Sequence, residues 1–202
     1  EMQWLVRATA EVLTDPRASQ TPLTAKRVRI IQKLMKAWEG RSSRANSKSP
    51  FVVRHLLERM KQQERENQHK KENLQNSTGA GSESATKSLI TVQSYNILLQ
   101  SWSQSKLFTY GRERGGSHKL GIAQRTREIL DEMDELSKTN PLVTPNSASF
   151  NAALKAAVRN QRPLSEIRQL LQEMNRRHKA GNDAVAPTRR SYNFFLYALA
   201  NA

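Results

Sequence analysis

Pro187-Thr188-Arg189-Arg190-Ser191-Tyr192-Asn193 repeats the arrangement of Pro145-Asn146-Ser147-Ala148-Ser149-Phe150-Asn151, with the proline five residues before the aromatic in both. A third Ser-aromatic-Asn phrase, Ser94-Tyr95-Asn96, lacks the proline. Each phrase opens an apolar stripe at i, i+3, i+4, i+7: Tyr95, Leu98, Leu99, Trp102; Phe150, Ala153, Leu154, Ala157; Tyr192, Phe195, Leu196, Leu199. Ile31, Leu34, Met35 and Trp38 give a fourth stripe without the phrase. The spacing places one apolar face on a helix, and its recurrence predicts a repeat array.

A second kind of helix alternates with the first. It carries Val53, Leu56, Leu57, Met60; then Ile122, Ile129, Leu130, Met133; then Ile167, Leu170, Leu171, Met174, each ending in Leu-x-x-Met. The unit is therefore a helix pair, and the fold expected is all-α, a right-handed solenoid of antiparallel helix pairs. Unequal spacings locate the extra residues. Residues 106–119 hold Gly111, Gly115 and Gly116 and read as a loop. Residues 62–89 read as a polar insert with too little apolar surface to offset the entropy of ordering. Its first part is expected to extend the preceding helix as a solvated tail, with disorder from Asn73 to Lys87.

The segments follow: an N-terminal helix and linker at 1–24, a degenerate helix pair at 25–61, the insert, a repeat at 90–145, a repeat at 146–187 and the first helix of a further repeat at 188–202. The chain starts at Glu1 and stops at Ala202 inside a helical pattern, so the natural protein is expected to continue.

Thirty-three Lys and Arg against 18 Asp and Glu give a net charge of +15, spread along the chain. Such a field attracts phosphate backbones or anionic surfaces. There is no cysteine, which excludes disulfides, thiolate metal sites and thiol nucleophiles. No apolar run has the length of a membrane span. No phosphate-cradling glycine motif, metal cluster or organised nucleophile-base set is present, so the expectation is a binding protein without cofactor, not an enzyme.

The alternating phrases resemble the pentatricopeptide repeat family, whose unit opens in aromatic-Asn and closes near Leu-x-x-Met before a Pro-containing loop. The resemblance covers about Ala25 to Ala202 apart from the inserts, and Ile31-Gln32 departs from it by replacing aromatic-Asn. A tetratricopeptide array is the rival, but its Leu-Gly pair is missing from the first helices.

The resemblance implies single-stranded RNA as the partner, one base per repeat, read by a few side chains. It carries the reading role to Asn96 with Asn146, to Asn151 with Thr188, and to Asn193. It also implies a lean toward pyrimidines, with C or U at Asn146 and no defined base at Thr188. From the residues themselves, Asn146 and Thr188 are equally ordinary N-caps, and the first-turn asparagines can bond local backbone. Tyr95, Phe150 and Tyr192 read as core. Lys33, Lys36, Lys155, Arg159, Arg189 and Arg190 are the candidates for phosphate contacts. The loop residues Phe108, Tyr110, Arg112, Arg114, His118 and Lys119 mix aromatics with cations, which suits a single strand and equally a solvated loop. The family places its members in mitochondria or plastids, in RNA processing, stabilisation or translation. The alternatives are a structural subunit of a ribosome or other organellar ribonucleoprotein, and a protein-binding scaffold.

Overall fold

The computed structural model describes residues 2–14, 24–43, 48–78, 88–105 and 121–201. The linker from Asp15 to Pro22, the end of the polar insert at 79–87 and the aromatic-cation loop at 106–119 lie outside them.

Among the described residues there are eight α-helices and no strand. They are α1 (Met2–Thr14), α2 (Ala25–Glu39), α3 (Ser49–Thr78), α4 (Val92–Gln104), α5 (Ile122–Ser137), α6 (Ser147–Arg159), α7 (Leu164–Lys179) and α8 (Arg189–Ala200). Short 3-10 turns, Pro141–Val143 and Asp183–Val185, lead into α6 and α8. The N-termini are set by side chains. Thr24 accepts from the Arg27 amide, and Asn146 and Thr188 each form a capping box with the serine three residues on, which satisfies amides that have no partner inside the helix.

The first helices form one row, α2 on α4, α4 on α6, α6 on α8. Each also pairs with the helix that follows it, α2 with α3, α4 with α5, α6 with α7, and each second helix touches the next first helix. The result is an all-helical, repeat-like fold, with α1 packed on α2 and α3 at one end. The two sets of apolar stripes meet in a single core, in which Tyr95, Met60, Met133 and Met174 are fully buried. Each such side chain contributes about 1.5–3 kcal/mol by leaving water. α4 and α6 are the most enclosed of the helices, each with four neighbouring helices; α6 manages it with small side chains. Its buried Ala152, Ala153, Ala156 and Ala157 let four neighbouring helices approach closely.

The second helices are tied to one another by long charged side chains. Arg54 Nη1 of α3 donates to Glu132 Oε2 of α5 at 2.6 Å, and Lys61 donates to the other oxygen. The Tyr95 hydroxyl donates to that same oxygen at 2.8 Å. Burial works against the Glu132 carboxylate, but Lys61 and Arg54 together hold its pKa below the usual range. Next along, Arg177 of α7 grips Asp134 of α5 with two bonds of 2.6 and 2.7 Å, and its guanidinium lies 5.1 Å from the Phe150 ring centre.

Two expectations are corrected. The first part of the polar insert extends the preceding helix as expected, and α3 continues to Thr78, into the stretch from Asn73 that was expected to be disordered. Good helix formers (Gln, Glu, Arg, Lys) fill most of residues 62–72, Gln62 bonds Glu66 one turn on, and Glu64 accepts from the Ser88 hydroxyl and the Leu89 amide, both at 2.7 Å. The third aromatic is not core. Tyr95 and Phe150 are buried, whereas Tyr192 is 45% exposed. Among the described residues no second helix follows α8 to cover its stripe.

Candidate nucleic-acid interface

The Ser-aromatic-Asn phrase forms the joint between successive repeats. Asn96 on α4 donates from Nδ2 to the Asn146 carbonyl oxygen at 3.2 Å, and its own Oδ1 accepts from the Ser149 hydroxyl at 2.6 Å. One repeat on, Asn151 donates to the Thr188 hydroxyl at 3.2 Å and accepts from Ser191 at 2.7 Å. The residues proposed in pairs from the sequence are thus brought together in pairs. Each pair is the N-cap of one first helix bonded to the asparagine of the preceding one. The degenerate joint keeps part of this, because Gln32 Nε2 donates to the Ser94 hydroxyl at 2.9 Å. Ser94, Ser149 and Ser191 are all buried.

The asparagines accordingly do not stand free in a solvent-exposed line. Asn151 is only 9% exposed and Asn96 is half-buried, whereas Asn193 is exposed. An amide side chain has two N–H groups and two carbonyl lone pairs, so Asn96 and Asn151 each keep one of both after the joint is made.

Beside this joint runs a groove of about 290 Å³ crossing α4, α6 and the start of α8. Gln100, Gln104, Asn151, Thr188, Lys155 and Arg190 line it. Lys155 is half-buried. Burial depresses its pKa, Arg159 and Arg190 push the same way, and Glu39 opposes them. The buried Glu39 accepts from Gln104 at 2.7 Å and pairs with Lys36. Lys155 is therefore a cation short of negative neighbours, and an anion placed beside it would restore its affinity for the proton.

A second, larger groove of about 1110 Å³ shares Lys155 and continues between α6 and α8 along Arg159, Asn193, Phe194, Tyr197 and Asn201. The six cations proposed from the sequence thus divide. Lys155, Arg159 and Arg190 line one or both grooves. Arg159 also donates to the Ser103 carbonyl at 2.9 Å, and Arg190 lies 5.7 Å from the Phe194 ring centre. Lys36 is held by Glu39, and Lys33 and Arg189 are exposed outside both linings.

Sequence reasoning missed Gln100, Gln104 and Tyr197. The available signal was their register: Gln100 lies four residues after Asn96, as Lys155 does after Asn151 and Tyr197 after Asn193.

Among the described residues no group of three His, Asp or Glu side chains is placed to hold a metal ion, and no helix is long and apolar enough to cross a membrane. The chain matches no protein-family model, no curated protein and no solved structure.

Proposed function

We propose that this chain is a pentatricopeptide-type array, a right-handed superhelix with its first helices on the concave side, that binds single-stranded RNA along the first-helix row. The observation that carries the reading is the groove beside the repeat joint, where amides (Gln100, Gln104, Asn151) and cations (Lys155, Arg190) lie together. Amides meet base edges in either sense, and cations neutralise phosphates. The spare N–H and lone pair on Asn96 and Asn151 suit a reading role shared with Asn146 and Thr188, and Asn193 opens a further position. An organellar role in RNA processing, stabilisation or translation follows from the resemblance.

The engagement of Asn96 and Asn151 in the repeat joint favours a second reading, a structural subunit of an organellar ribonucleoprotein or a protein-binding scaffold, in which the phrase only holds repeats together.

Each base contributes roughly 1–3 kcal/mol against an association cost of about 4 kcal/mol or more, so base contacts at three repeats leave about 5 kcal/mol at most, and sequence-specific binding is expected to be weak, on the order of 0.1 mM. Anisotropy of a labelled pyrimidine-rich strand, titrated across a salt series, tests the proposal. RNA reading requires that Asn151→Ala or a change of bases weakens binding. Affinity indifferent to both, with a salt slope of about 0.7 per phosphate contact, would leave charge alone as the cause. No binding at low salt would favour the structural subunit.

A further inference from the structure

The repeat register singles out Tyr197. Along the first helices the position four residues after the phrase asparagine is Gln100, then Lys155, then Tyr197. In α4 and α6 this position faces the groove beside the joint. In α8 the position is aromatic, is 62% exposed, and lines the second groove with Lys155, Arg159 and Asn193. Tyr197 is not part of the apolar stripe Tyr192, Phe195, Leu196, Leu199, the face that α6 turns to α7 in the earlier repeat.

An exposed ring beside two cations and an amide has the chemistry of a nucleotide subsite. The ring face offers stacking to any base, the cations take the phosphate, and the amide meets a base edge. We infer that Tyr197 is a stacking platform for one base of a single strand, with the phosphate of that nucleotide held at Lys155 and its edge offered to Asn193. The inference rests on the RNA-binding reading above and adds to it a contact outside the asparagine and N-cap positions. The depressed proton affinity of Lys155, with Arg159 and Arg190 nearby, supports an anion on this cation. Because Lys155 lines both grooves, a phosphate there would lie between the base at Asn151 and the base at Tyr197.

The test compares two labelled octamers on the whole chain at low salt, one of pyrimidine ribonucleotides and one of abasic sugar-phosphate units. Tyr197→Ala is expected to weaken binding of the base-bearing strand roughly tenfold and to leave the abasic strand unaffected. Tyr197→Phe should retain binding within about twofold, since a phenyl face also stacks. Lys155→Ala should weaken both strands and lower the salt slope by about 0.7. Unchanged circular dichroism of the variants shows that the fold is intact. If the wild-type chain binds the pyrimidine strand and Tyr197→Ala binds it equally well, the stacking platform alone is overturned. If the wild-type chain binds neither strand, the RNA-binding reading falls and the platform with it.

Discussion

Asn151 is held in the joint between repeats, and the proposal gives it a second task as a base reader. Its amide bridges the Thr188 hydroxyl and the buried Ser191 hydroxyl, at 3.2 and 2.7 Å. Removing it takes from the buried Ser191 hydroxyl its acceptor across the joint and leaves it only its capping-box partner Thr188. Asn151→Ala is therefore expected to destabilise the fold by about 1–3 kcal/mol, read as a lower urea midpoint with an unchanged slope. A variant that loses RNA affinity without this change would place the amide on the base and not in the joint. The family resemblance implied the pairs Asn96 with Asn146 and Asn151 with Thr188. It did not reveal that the pairs bond each other, because partners separated by tens of residues meet only when the repeats stack. The serine of the phrase was legible as a repeated letter, and its role became visible only as the third member of each joint.

At the scale of elements, one stripe position has opposite environments in different helices. Leu154 of α6 is fully buried, whereas its register counterpart Leu196 of α8 is 57% exposed. Leu154→Ala should cost about 2–5 kcal/mol, and Leu196→Ala only about 0.5 kcal/mol or less, as measured by parallel denaturant titrations. Equal losses would mean that α8 is covered in solution. The second helices carry a pH signature. Glu173 of α7 bonds Arg176 and Arg177 at 2.6–2.8 Å. Arg176 chiefly, with Arg177 and against the cost of burial, holds its pKa at about 2 instead of 4.5. A carboxylate lowered in this way stabilises the fold above its unfolded pKa, and the gain is lost as pH falls through the folded value. Stability should thus decline from about pH 4.5 toward pH 2, and Glu173→Gln should flatten that limb in acid titrations followed by circular dichroism. Helix order was readable from the stripes. The extension of α3 past Met60 was readable too, but not the contact of Glu64 with Ser88 and Leu89, because Glu64 reads as solvated until the start of the next repeat folds back onto it.

For the whole molecule, a charge of +15 attracts polyanions at long range, and the proposal places their contacts in the grooves. Lys155→Ala combined with Arg190→Ala should lower the salt slope for single-stranded RNA by about 1.4, two phosphate contacts at about 0.7 each. Replacing the exposed Lys33 and Arg189, which line neither groove, should alter it less. Equal effects from both pairs would mean that the strand follows the general field and not the grooves.

By itself the sequence determined the helices, their alternation and, α8 apart, the faces they bury, because helical periodicity and capping are local and every stripe is written within a dozen residues. Only the tertiary structure decided which polar groups remain available. Asn96 and Asn151 are committed to a joint, Lys36 to Glu39, and Arg177 to Asp134, whereas Lys155 lines two grooves and Tyr197 stands on one wall. Hydrogen bonds and ion pairs between repeats depend on how one helix row is set against the next, and no window of sequence contains that distance.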